Sequence, residues 1–93
     1  MSYTVIDPII STWAVMNHLT VHTEYKDTEV RSVEVVSDTG RKFQIWIDRP
    51  VGNTVAVHIW DYKKQRCDWF GTIEKLEDYL KEAISTVKEW ASK

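Results

Sequence analysis

Long apolar runs are missing from this chain, and so are most of the residues on which specialised chemistry is built. No stretch approaches the roughly 20 apolar residues that a membrane-spanning helix needs, so no membrane span is expected. There is one cysteine, Cys67. It cannot close an internal disulfide, and small secreted domains usually rely on several, so an intracellular, cytoplasmic setting is expected. The opening MSYTVIDPII agrees, because Asp7 and Pro8 stand where a secretory signal would carry an unbroken apolar run. The three glycines and two prolines are isolated, leaving no phosphate-cradling loop of the P-loop or GxGxxG kind. Positive charge is not in excess either. The formal net charge is -2 and the isoelectric point about 5.9, which argues against affinity for a phosphate backbone.

Metal and thiol chemistry are similarly under-provided. His18 and His22 are four apart, but no glutamate adjoins His18 as in the zinc-protease motif, and no third ligand is evident. Cys67 is next to Asp68, whose charge disfavours a thiolate. No metal and no cofactor are expected.

What the chain does have is aromatic mass: five tryptophans, four tyrosines and two phenylalanines in 93 residues. That length makes a single domain, residues 1–93, with room for a modest core. Large rings fill thin cores and also anchor interfaces, so their positions have to decide between the two uses.

The spacing predicts a helix over Pro8–His18, with Asp7 as its cap and Pro8 at its first position. Ile9, Ile10, Trp13, Met16 and Leu19 share one face of it, with Ser11 and His18 opposite. At Leu19 the period changes to two, which predicts a strand over Leu19–Tyr25 with Leu19, Val21, Thr23 and Tyr25 turned inward; a continued helix is the rival. Three more alternating segments follow. A three-residue turn at Lys26-Asp27-Thr28 sets Val21 opposite Val33. A turn at Asp38-Thr39-Gly40 sets Val33 opposite Ile45 and Val35 opposite Phe43. A loop over Asp48–Thr54 brings Ile45 to Val57 and Phe43 to Ile59. These registers put the odd-numbered apolar residues of four strands on one face, and a one-residue slip at any turn would invert a strand. Lys63-Lys64-Gln65-Arg66 reads as a basic connection, and Cys67–Gly71 as a segment whose two aromatics pack down beneath it. A final amphipathic helix starts after Thr72 and buries Ile73, Leu76, Leu80, Ala83, Ile84, Val87 and Trp90 or Ala91. Glu77 with Lys81 and Glu89 with Lys93 stand four apart in the favourable order. The expected fold is α+β: a two-layer sandwich in which a four-stranded antiparallel meander is flanked by N- and C-terminal helices, both on one sheet face.

The other face is then the place to look for function. Its expected rows are Thr20, Glu34, Gln44 and His58; then His22, Ser32, Trp46 and Ala56; and on the flank Val36, Lys42 and Trp60. Ordinary cross-strand pairing would account for such residues without any ligand. Tryptophans clustered on a flat face are also what an interface core looks like. The expectation is therefore a non-enzymatic domain that binds a protein partner, or itself, through Trp46, Trp60, His58, Lys42, Gln44, Glu34 and His22. A single-stranded nucleic-acid binder that stacks bases on Trp46 and Trp60, with Arg41, Lys42, Lys63, Lys64 and Arg66 nearby, is the first alternative; Glu24, Glu34 and the negative net charge count against it. A small enzyme or ligand-binding protein using His58 or His22 is the second. A flat face supplies neither cleft nor nucleophile, and neutral surface histidines are the commoner case.

Overall fold

Alternation at period two builds the sheet around which everything else is arranged. The computed structural model describes residues 3–62 and 65–92, so the expected Lys63-Lys64 connection and the Glu89–Lys93 pair fall at least partly outside the described residues. Five strands follow one another as a meander, each hydrogen-bonded to the next: β1 (His22–Tyr25), β2 (Thr28–Val36), β3 (Lys42–Ile47), β4 (Thr54–Trp60) and β5 (Arg66–Thr72). Two helices flank them, α1 (Asp7–Met16) and α2 (Leu76–Ala91), each preceded by a short 3₁₀ turn. The α+β class and antiparallel sheet are as expected, but among the described residues the strands number five and not four. Cys67–Gly71, expected to tuck beneath a loop, forms the body of β5, where burial alternates residue by residue. Asp68 and Gly71 are poor strand formers and obscure that period in the sequence. No helix is long and apolar enough to cross a membrane among the described residues.

The core gathers odd-numbered strand residues with the apolar stripes of the helices. Val33, Phe43, Ile45, Val57 and Ile59 are fully buried, as are Leu76, Leu80 and Ala83 of α2. Burying a ring such as Phe43 contributes roughly 1.5–3 kcal/mol. Ile10, Trp13 and Ala14 bring α1 to the same core, and the Trp13 indole N–H donates to the Leu80 carbonyl at 3.1 Å, tying α1 to α2. Met16, expected on that stripe, is 73% exposed; the buried face of α1 is narrower than its apolar residues suggest. Asp7 does not cap α1. Ile6 holds that position without a side-chain bond, and the Asp7 carboxylate instead accepts from Arg31 at 2.7 and 3.1 Å. Arg31 is buried on the helix side of β2, its guanidinium 4.4 Å from the Tyr3 ring centre. Thr72 also makes no side-chain cap bond, because the chain first takes a 3₁₀ turn over Ile73–Lys75. The expected stripe of α2 and the Glu77–Lys81 pair, at 3.4 Å, are both present.

The registers were partly legible. Val33 pairs with Ile45 and Val35 with Phe43 as expected, and Gly40 takes the positive φ (86°) that its turn requires. Between β1 and β2 the chain reaches the expected pairing of His22 with Ser32 by another route. The hairpin loop has two residues, Lys26 and Asp27, both at positive φ (49° and 66°), the twist-compatible form for a tight hairpin. That sets Tyr25 opposite Thr28 and Glu24 opposite Glu29, and a bulge then shifts the register by one to bring His22 opposite Ser32. Strand β1 is shorter than expected, although Leu19 and Val21 still pack on the core. Between β3 and β4 the expected pairing is off by two: Ile45 faces Ile59 and Ile47 faces Val57. The Asp48 N–H continues the ladder to the Ala56 carbonyl, and a turn over Val51–Thr54 closes it with Gly52 at φ 61°. A slip of two keeps every side chain on its own face, so the core is unchanged and only the open face is re-ordered.

Helix α1 ends two residues earlier than its periodicity suggests because His18 adopts φ 56°. The His18 N–H then bonds the Val15 carbonyl at 3.2 Å and the Leu19 N–H the Ala14 carbonyl at 2.8 Å, the pairing of a Schellman motif, whose left-handed position favours glycine. A side chain there costs about 1–2 kcal/mol, partly offset by glycine's greater entropy loss on folding. His18→Gly is therefore expected to stabilise the protein by up to about 1 kcal/mol, measured as a raised urea midpoint at unchanged slope.

Candidate functional site: the open face of the sheet

Even-numbered strand residues form the face away from the helices, and the observed registers re-draw its rows. One row runs His22, Ser32, Trp46, His58, Asp68 across all five strands. The next runs Glu34, Gln44, Trp60, Arg66. His58 thus stands beside Trp46 and not Gln44, and Trp60 stands beside Gln44 and not on the Lys42 flank. Lys42 pairs with Val36 one row further out and is exposed. Thr20 precedes β1 and belongs to no row. The two-residue difference between β3 and β4 explains the new places of His58 and Trp60, and the loss of Thr20 follows from the short β1.

The same re-ordering makes the two tryptophans diagonal neighbours. Their rings stack with centres 6.1 Å apart and planes 23° from parallel, and both are half-buried. Tyr25, expected to turn inward, presents its ring edge-on to Trp46 at 6.0 Å. The bulge in the β1–β2 pair adds local twist and carries the end of β1 over the open face. Tyr62, just beyond β4 at φ 68°, donates its hydroxyl to the Gln44 side-chain oxygen. Burial, and then the neighbouring Glu34 carboxylate, push the Tyr62 hydroxyl's pKa up, so it stays a neutral donor. These residues surround a shallow hollow of about 410 Å³ lined by Tyr25, Trp46, Trp60, Tyr62, Glu24 and Glu34, with His22, Ser32 and Gln44 completing it. Of the residues expected on this surface, the hollow unites His22, Glu34, Gln44, Trp46 and Trp60; it leaves out His58 and Lys42. Tyr62 was within reach of the parity argument, since it continues the even positions of β4. Tyr25 was not, because a bulge leaves no mark in a single sequence.

His58 is occupied elsewhere. Its Nδ1 lies 2.6 Å from Asp68 Oδ1 and its Nε2 2.8 Å from Asp48 Oδ2, with the side chain 14% exposed. A neutral imidazole has one N–H, and two carboxylate acceptors call for two. Burial pulls the His58 pKa down, but the bonds to Asp48 and Asp68 outweigh it and the net shift is upward. Asp68 is held below the usual range by His58 and also by Arg66, whose Nε is 3.2 Å away. In place of the neutral surface histidine expected as the commoner case, His58 lies between two carboxylates in a geometry that favours the imidazolium and joins the β3–β4 loop to β5. With both nitrogens engaged, it offers a lone pair to neither a metal nor a substrate proton. Among the described residues, no group of three or more His, Cys, Asp or Glu is placed to hold a metal.

The linkage has a definite sign. His58's raised pKa gives stability that is full below its ordinary value of 6.5 and is lost as pH rises through the folded value. Asp68's lowered pKa gives stability that is present above 3.8 and is lost as pH falls through its folded value. Stability is therefore expected to decline as pH rises above 6.5, and His58→Gln to flatten that slope in urea titrations across the range. A second expectation concerns Trp46. Its indole N–H is buried with no hydrogen-bond partner, the one such side-chain atom among the described residues. An unpaired buried donor costs about 1–3 kcal/mol, which offsets the area lost on going to phenylalanine. Trp46→Phe is thus expected to change unfolding free energy by less than about 1 kcal/mol, whereas a purely structural tryptophan would lose more.

Set beside known proteins, the chain matches no family model, no curated protein and no solved structure, so the functional reading is carried by this geometry.

Proposed function

We propose that the protein is a non-enzymatic, cytoplasmic interaction domain that docks a protein partner, or a second copy of itself, through the open sheet face. The observation that carries this is the stacked Trp46–Trp60 pair, half-buried at a hollow that, among the described residues, no helix lines. Rings that served only the fold would be expected on the other side, where Trp13 is buried and Trp69 and Trp90 pack against the core. Phe70, 72% exposed and edge-on to His58 at 5.7 Å, extends the apolar surface along β5. Tryptophan and tyrosine at the centre of a patch with a polar rim match the composition of binding hot spots.

A nucleic-acid strand is a poorer occupant. Glu24 and Glu34 line the hollow, and two of the nearby cations are engaged by carboxylates, Arg66 with Asp68 at 3.2 Å and Arg41 with Asp61 at 3.5 Å. The combined variant Trp46→Ser, Trp60→Ser is expected to abolish association seen with the wild type, whether with a partner in host-cell capture or with itself in sedimentation, while keeping the native circular dichroism spectrum. Association that survives this change in a folded variant would remove the reading.

A further inference from the structure

The lining of the hollow is selective in charge as well as shape. Two indoles, two phenol rings, the His22 imidazole and two carboxylates meet there, and among the described residues no lysine or arginine lines it. Neither Glu24 nor Glu34 forms an ion pair among the described residues. Elsewhere this chain repeatedly sets its own cations over aromatic rings: Arg31 and Arg49 over Tyr3, at 4.4 and 5.6 Å, and Arg41 over Phe43 at 5.2 Å. At the edge of the open face, Lys26 already stands 5.2 Å from the Tyr25 ring centre. A ring's negative π-face attracts a cation, most strongly for tryptophan and when water is excluded.

We propose that the hollow is a receptor for an arginine side chain of a protein partner. The inference rests on the docking reading above and gives its occupant a chemistry. The two half-buried indoles, their planes 23° from parallel, offer π-faces on which a planar guanidinium can stack and a non-planar ammonium cannot. Glu34, beside Gln44 in the row that also holds Trp60, supplies a carboxylate that a guanidinium fork can bond with two hydrogens. Guanidinium is also less strongly hydrated than ammonium, so entering a half-dry site costs it less. Arginine, tryptophan and tyrosine are the residues enriched at hot spots, and such residues tend to meet across an interface.

The test is a titration at about pH 7.5, where ordinary histidines are neutral, followed by the indole N–H signals of Trp46 and Trp60. The probes are acetylated Gly-Arg-Gly amide, its lysine counterpart and its citrulline counterpart, citrulline being the uncharged shape of arginine. The arginine peptide is expected to shift both signals saturably, the lysine peptide more weakly and the citrulline peptide hardly at all. Glu34→Gln, checked for native circular dichroism, is expected to weaken the arginine peptide by about fivefold or more. Equal shifts from citrulline and arginine, equal shifts from lysine and arginine, or none from any peptide would each overturn the assignment. A partner lost on changing Trp46 and Trp60 but kept by Glu24→Gln, Glu34→Gln would leave the docking face standing and remove the arginine.

Discussion

Strict two-residue alternation across β2, β3 and β4 is the constraint on which the rest of the molecule depends. Val33, Ile45 and Ile59 stand opposite one another in three successive strands and are completely buried. Because strand side chains alternate, committing these residues to the core commits Glu34, Gln44, Trp46, His58 and Trp60 to the other side. One layer of two helices is then enough to cover the apolar face, and the Trp13–Leu80 bond holds that layer together. The polar-aromatic face is the unavoidable counterpart of the core, and its open state follows from having no third layer.

That face stabilises itself by means that leave it usable. Its rings pair across strands, a contribution of fractions of a kcal/mol each, and the Asp48–His58–Asp68 clamp fastens the β3–β4 loop to the edge strand β5. The clamp stands beside the hollow and not in it, so the charged network can fix the backbone while the stacked indoles stay available. Among the described residues the Trp46 N–H is buried without a side-chain or backbone partner, an arrangement that costs local stability. A buried donor left without a partner is uncommon in folded proteins, and it occurs at the residue placed centrally in the row of five strands.

Local departures from regularity shape the site more than the regular strands do. The two-residue hairpin and its compensating bulge bring Tyr25 over the open face, and positive φ at Tyr62 carries that ring back toward Gln44. On the opposite side, the same bulged stretch of β2 carries Arg31, whose buried guanidinium is matched by the Asp7 carboxylate at the first turn of α1. A charge in that position needs such a partner, which accounts for Asp7 serving Arg31 in place of its own helix end.

The amino-acid sequence by itself determined the parity of β2, β3 and β4, the amphipathic stripe of α2, the β2–β3 register and the side on which Trp46, Trp60, His58, Gln44 and Glu34 lie. Each of these follows from side-chain period, and period is a local property of the chain. It did not reveal β5, the two-residue slip between β3 and β4, the bulge, or the use of Asp48 and Asp68 on His58. Registers two apart bury the same residues and are degenerate in pattern; only loop closure through Gly52 and the ladder bond from Asp48 to Ala56 separates them. Which rings stack, which carboxylates meet His58 and where the hollow forms are settled by contacts between strands, and those exist only once the sheet has been assembled.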